Sequence, residues 1–424
     1  MNRTAVTPRH RLARNTVLTT GWQGIRVALQ AVWVILLARA LGPSDYGSFA
    51  GMAGLAAALG SLTGLGFGML MVQDASRNHE QFADAWKRAI YLALMSGLAL
   101  WAIYIAVGPI VFGSRTSWWV YAAVGLPELV CFPVTIVAAY AFQLHERMGW
   151  AGALFTLIAV GNLIAVGFFL WIAPTHTLAL YLPFHAVGSI AASVCAVVVV
   201  IRLLAPARAT FSISKRDMRE GMGFSLMRIA DTGMTSLDKT LVLLLAGSEA
   251  AGIYGSAYRL VAVLAMPATS LGMAALPRLF RNHRADPNAQ SRLIKILLVA
   301  TIVYGLIAIG LAYLLSGVLP VLFGAAFAKS AEVARWLAIS PLLYGLYALG
   351  CNVLVTSDRR TLRVLAQAAG IAILAVMALI WIPRYGLKGA VGMWLFTLVV
   401  TSAILWAIVR WNHRSTARPR GEAL

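Results

Sequence analysis

Apolar residues run along this chain in long stretches separated by short, mostly basic connections. Twelve stretches reach the length at which a helix crosses a hydrocarbon core, about 20 residues. They cover 16–41, 46–72, 88–113, 117–142, 149–173, 178–204, 218–246, 251–279, 293–324, 330–356, 361–382 and 389–410. Within each the hydrophobicity is nearly continuous, with Gly and Pro inside, which predicts helices; a membrane barrel alternates apolar and polar positions. The fold class is therefore an all-α polytopic membrane protein. The seventh stretch is the least apolar: Gly223 to Gly247, GFSLMRIADTGMTSLDKTLVLLLAG, carries Arg228, Asp231, Asp238 and Lys239.

Lysine and arginine set the orientation, because they accumulate on the cytoplasmic side. With twelve spans, 25 of them fall on one side and six on the other: Arg39, Arg115, Lys329, Arg335, Arg384 and Lys388. Both termini are on the rich side, which includes Arg3, Arg77, Arg88, Arg208, Arg216, Arg418 and Arg420. This predicts cytoplasmic termini in the inner (plasma) membrane. The chain also repeats. GWQGIR (Gly21 to Arg26) opens the first span and GFSLMR (Gly223 to Arg228) the seventh; DYGSF at Asp45 corresponds to IYGSAY at Ile253, and Pro127 to Pro341. Six spans per half is an even number, so the halves share one orientation, a transporter pattern with the substrate site between repeats. The expected division is an N-terminal lobe, 1–205, and a C-terminal lobe, 206–424, around a central cavity, joined by the linker Arg202 to Gly221.

Composition narrows the function classes. The 424 residues are 60% hydrophobic and 12% charged, too little charge to clothe a soluble protein. The net charge of +20 suits the anionic membrane face, given its placement in loops, and not nucleic acid. Cys131, Cys195 and Cys351 stand alone in apolar segments without metal or CxxC spacing, and read as inert buried thiols. The histidines show no paired spacing, so neither a metal nor a cofactor is expected. The basic N-terminus resembles a signal peptide, but its apolar stretch exceeds the 7–15 residues of a signal core and reads as an uncleaved span.

Ionisable groups at bilayer depth cost at least ~2.5–3.5 kcal/mol each and face a protein interior or a wet cavity. In the first span Thr19, Gln23, Arg26 and Gln30 share one helical face. In the seventh, Arg228, Asp231, Thr235 and Asp238 do so, and the eighth adds Arg259. Two readings stand. In one, Arg228 pairs with Asp231 along the helix, while Asp238, Lys239 and Arg259 pair across helices as structural charges. In the other, Arg26 and Arg228, at repeat-equivalent positions, present guanidinium forks to a phosphate entering from the cytoplasm. Gln23, Gln30 and Arg259 complete that substrate-binding set, and Asp231 and Glu128 are candidates for ion coupling. The glycines of GSLTGLGFG (Gly60 to Gly68) read as close helix packing. Trp22 and Trp33 either pack or stack on a sugar.

The segment LARALGPSDYGSFAGMAGLAAALGSLTGLGFGMLMVQDASRN (Leu37 to Asn78) resembles the polysaccharide and O-antigen flippases of the multidrug/oligosaccharidyl-lipid/polysaccharide (MOP) exporter superfamily. Leu237 to Phe280 and YGLKGAVGMW (Tyr385 to Trp394) are similar to that family too. The resemblance implies two six-helix lobes and transport, not catalysis, of an oligosaccharide on undecaprenyl pyrophosphate toward the periplasmic leaflet by alternating access. It also implies a role in lipopolysaccharide or other surface-polysaccharide assembly. The partners it implies are the lipid-linked oligosaccharide, membrane lipids, a polysaccharide polymerase and chain-length machinery.

Two other functions compete. A cation-coupled multidrug exporter of the same superfamily would use Glu128 or Asp231 against a cationic drug. A membrane-embedded polymerase or ligase needs catalytic residues on a sizeable outer loop, and the outer loops here are short.

Overall fold

The computed structural model describes residues 8–76, 79–113, 116–206, 214–357 and 359–416. Arg3, Arg77, Arg115, Arg208, Arg418 and Arg420, which contribute to the charge asymmetry, lie outside these residues, as does the middle of the linker, 207–213. The described residues are helices joined by short connections, with no strand among them. In order they form α1 (Pro8–Gly60), α2 (Phe67–Ala75), α3 (Phe82–Phe112), α4 (Trp118–Leu126), α5 (Phe132–Leu144), α6 (Met148–Ile172), α7 (Leu178–Leu204) and α8 (Lys215–Ala246). Then follow α9 (Ser248–Ala285), α10 (Pro287–Ser316), α11 (Leu319–Phe323), α12 (Ala328–Trp336), α13 (Ser340–Thr356), α14 (Arg360–Tyr385) and α15 (Leu387–Thr416).

Among the described residues nine helices are long and apolar enough to cross a membrane, or ten when the bent pair 325–336 and 340–356 forms one span. This is a multi-pass membrane protein. The expected twelve differ at three places, each with a physical cause. The first two stretches are one apolar run, Leu18–Gly60, of 43 residues, about 65 Å of helix and enough for two crossings. It is broken at Gly42, whose φ of 71° only glycine adopts freely, just before Pro43. The tenth stretch is bent by 55°. The seventh, α8, is a continuous helix that its own charges leave less apolar than the others.

The chain divides into two compact units: Met1–Leu41 with Met52–Thr232, and Gly42–Gly51 with Gly233–Leu424. The divisions fall at the Gly42 break and between Gly51 and Met52 in α1, and inside α8. Unit 1 is built on a proline-induced π-turn, Pro127–Cys131, inside the run from α4 to α5. Proline removes a ladder donor and the wider turn leaves carbonyls to be satisfied from outside. Neighbouring hydroxyls do this: Thr63 donates to the Leu129 carbonyl at 3.0 Å, and Ser193 and Thr135 both donate to that of Cys131 at 2.9 Å. Gly60 and Gly97 let their helices approach the same turn, since a Cβ at either meets a carbonyl of Glu128 or Leu129 within 2.7 Å. The Gly60-to-Gly68 stretch thus packs helices closely, but it does not continue as one helix. Gly64, Leu65 and Gly66 all take left-handed φ, and the chain restarts at α2.

Unit 2 closes in a similar way where Gly42–Gly51 meets the α8–α9 corner. Ser44 and Ser248 share a hydroxyl hydrogen bond of 2.8 Å, and Thr240 donates to the Gly51 carbonyl at 2.7 Å. Gly252 abuts the Pro43 carbonyl so closely that no side chain fits there. Tyr46 is buried with its ring edge against Phe327. The sequence DYGSF therefore acts as a packing element, the role that small residues play where helix backbones touch. Cys131 and Cys351 are buried as expected, whereas Cys195 is exposed on α7, the apolar run having concealed an outward-facing position.

Candidate substrate site and buried charge

Arg26 lies half-buried on α1 and Arg228 half-buried on α8, both in unit 1. Neither makes a hydrogen bond or ion pair with another described residue, and the Nε of Arg26 is enclosed without an acceptor. Arg228 does not pair with Asp231, although the two stand three residues apart. Asp231 is exposed and engaged elsewhere. On the α1 face, Gln23 is exposed and Gln30 half-buried. Glu128 is half-buried in the π-turn of unit 1, close enough to act electrostatically on Tyr104 and Cys131. Its position ties it to the turn that organises the unit.

The tryptophans of α1 are packing residues. Trp22 lies over Gly152 of α6, where a Cβ would meet the indole at 2.5 Å. Trp33 is buried, donates to the Tyr181 hydroxyl at 2.9 Å and stacks on His185, with 6.0 Å between ring centroids. Because Tyr181 already accepts from the indole, its own proton is available for His185 Nδ1, 3.3 Å away.

In unit 2 the charges resolve differently. Asp238 is fully buried, and Lys239 Nζ reaches its Oδ1 at 2.8 Å while Tyr254 donates to its Oδ2 at 2.9 Å. Arg259, on α9 of the same unit, is exposed and makes no hydrogen bond or ion pair with a described residue. Buried carboxylates are held in place by pairing and hydrogen bonding. Asp238 is consumed by Lys239 and leaves Arg259 uncompensated.

A further charged group, absent from the sequence expectations, gathers at the start of α8. Arg88 of α3 donates to Asp217 Oδ2 at 3.0 Å, Arg216 to Glu220 at 2.8 Å, and Gln73 to Glu220 at 3.4 Å. Asp217 also closes a capping box: its backbone N–H donates to Ser214 Oγ at 3.0 Å, and its carboxylate accepts from the Ser214 N–H at 3.1 Å. The signal was legible as Ser-x-x-Asp in SKRD, Ser214 to Asp217. Asp74 of α2 lies among these groups. Burial and the negative charge of Asp217 raise its pKa above the ordinary carboxylate value, against the counteracting Arg88.

Among the described residues no group of His, Cys, Asp and Glu is disposed to hold a metal ion. What these spans offer chemically is guanidinium unmatched by carboxylate, a donor set for oxyanions.

Residues 12–283 match the model of the family described as polysaccharide biosynthesis protein. The chain belongs to that family. No protein of curated function matches it in sequence. Its fold is that of the MOP-superfamily transporters. An inward-facing multidrug resistance MATE family transporter of that superfamily shares 14% identity at a TM-score of 0.71, over 93% of this chain and 96% of its own. The lipid II flippase MurJ, in an inward closed conformation, shares 11% at a TM-score of 0.71, over 93% of this chain and 87% of its own. The MATE multidrug transporter DinF-BH shares 14% at a TM-score of 0.65, over 97% of both chains.

Proposed function

We propose that this chain is a flippase that carries an undecaprenyl-pyrophosphate-linked oligosaccharide from the cytoplasmic to the periplasmic leaflet by alternating access. It serves surface-polysaccharide assembly, such as that of O-antigen, in the inner membrane. Its termini are cytoplasmic, and a polymerase and chain-length machinery act on its product. The observation that carries the reading is the state of the basic side chains. Lys239 is neutralised by Asp238, while Arg26, Arg228 and Arg259 have no carboxylate partner among the described residues. An arginine in an apolar setting without an acid is costly to keep, and a multiply charged pyrophosphate supplies the missing anion. A cationic drug would meet repulsion from the same side chains. Outward movement of an anion across an inside-negative membrane is favoured by about 2.3 kcal/mol per charge per 100 mV. No separate energy source is needed on that account.

The reading is tested by reconstituting the protein in liposomes with a fluorescent polyprenyl-pyrophosphate oligosaccharide and following its transbilayer movement with a membrane-impermeant quencher. Movement well above protein-free vesicles is expected. Movement at the protein-free rate, with a cationic dye transported in parallel, would overturn it.

A further inference from the structure

The ammonium of Lys239 occupies an unusual enclosure. Neighbouring residues on a helix do not face each other, yet Lys239 folds back so that Nζ donates to Asp238 Oδ1 at 2.8 Å. It also donates to the Thr235 carbonyl, one turn earlier, at 2.8 Å, and lies 3.7 Å from the centre of the Tyr258 ring. A carboxylate oxygen, a backbone carbonyl and an aromatic face are three groups that attract a monovalent cation. The ammonium has three N–H bonds and three such neighbours. The carboxylate is equally occupied, since its second oxygen accepts from Tyr254.

We propose that these groups form a monovalent-cation cradle whose occupant is the chain's own ammonium: Lys239 is a tethered counter-cation filling a site that would otherwise take Na⁺, Li⁺, K⁺ or a proton. The carboxylate alone sets the need for a positive charge. With Asp238 at 0% exposure, it must be met inside the protein. The charged and titratable groups around it are Tyr254 and Tyr258 on α9, Arg259 on the same helix, and Tyr344 on α13, which acts on Tyr258. Arg259 repels Lys239 and does not replace it at the carboxylate. With the lysine in place the cradle is neutral and closed, so the wild-type protein is indifferent to which monovalent cation surrounds it. The inference holds whatever the chain carries.

The test is the full-length protein in detergent, with thermal unfolding followed at constant ionic strength while choline is replaced by Na⁺, Li⁺ or K⁺. The wild-type midpoint is expected to stay unchanged. Lys239→Ala and Lys239→Gln are expected to gain a saturable upward shift with one of the metal ions, or with protons between pH 8 and 5.5. Adding Asp238→Asn to either should abolish that shift. A variant recovered only in a metal-ion buffer, and lost on exchange into choline at pH 8, gives the same result in another form. The proposal is overturned by a saturable metal-ion shift in the wild type. It is equally overturned by folded Lys239 variants insensitive to metal ions and pH, or by variants that no cation or pH rescues.

Discussion

Arg88 on α3 and Asp217 on α8 are joined by a 3.0 Å hydrogen-bonded ion pair, with side chains only 16% and 20% exposed. Asp217 is also the acid of the capping box that starts α8. One carboxylate therefore both begins the helix and anchors it. Arg88→Ala leaves Asp217 beside Asp74 and Glu220 without its main counter-charge, and should cost about 1.5–3 kcal/mol, the range for a hydrogen bond to a charged group. Asp217→Ala should cost at least as much, because the carboxylate's bond from the Ser214 N–H goes too, while the Asp217 N–H still reaches Ser214 Oγ. Thermal unfolding of the single variants and of Arg88→Asp with Asp217→Arg gives the coupling directly. The exchanged pair should recover part of the Arg88→Asp loss but not the carboxylate's bond from the Ser214 N–H.

Asp74 gives a pH dependence of definite sign. Its pKa is raised, chiefly by burial and then by Asp217, so the folded protein holds this proton at pH values where the unfolded chain has lost it. Stability must then fall as pH rises through a window that opens near the ordinary aspartate value of about 3.9 and closes at the raised one. Above that window the ionised Asp74 is a constant penalty. Asp74→Asn removes it, and the variant should be more stable than the wild type at pH 7.5. The gap between their unfolding midpoints should close as pH falls toward 4. A gap that widens on acidification contradicts the assignment.

The closure of unit 2 rests on contact between backbones. Gly252→Ala places a methyl group against the Pro43 carbonyl, within van der Waals contact. Overpacking of this kind costs typically 1–3 kcal/mol, measurable as a lower yield of monodisperse protein and a lower unfolding midpoint. Ser44→Cys with Ser248→Cys places two thiols where the hydroxyls are 2.8 Å apart, and a disulfide should form in mild oxidant without gross distortion. Transport that stops on oxidation and resumes on reduction would mark this contact as one that opens during the cycle.

How much of this was legible depends on what fixes each feature. The all-helical membrane fold was readable because span-length apolar runs have few other solutions. The repeat at Asp45 and Ile253 located segments that pack inside unit 2, whereas Gly21 and Gly223 of the other repeat stand in open space. The break after Gly60 was not readable, because a sequence of small residues is consistent with both a tight helical contact and a left-handed exit. Nor was the partner of Asp238, since neighbouring helix positions point apart and only the length and flexibility of Lys239 bring its ammonium back. Arg228 with Asp231 shows the converse: correct helical spacing permits an ion pair but does not make one. The ionic group at the start of α8 joins Gln73, Arg88 and Asp217, residues distant in sequence. Only its capping box was written locally.

The arginines carry the most direct functional prediction. Arg26 and Arg228 have no carboxylate to lose, so substituting them by Ala removes a charge without orphaning an acid among the described residues. Folding should tolerate the change, and the unfolding midpoint should hold or rise as a half-buried charge is relieved. Transport of the pyrophosphate-linked sugar should fall by about 10- to 100-fold per arginine, the equivalent of one charge-assisted hydrogen bond at roughly 1.5–3 kcal/mol. Lysine keeps the charge but not the planar fork, so Arg26→Lys and Arg228→Lys should retain only part of the activity. Arg259→Ala, at an exposed position, should have the smallest effect of the three on stability. Liposome flipping assays on variants with unchanged unfolding midpoints separate these outcomes. Normal flipping by both Ala variants of Arg26 and Arg228 removes the pyrophosphate contact from α1 and α8 alike.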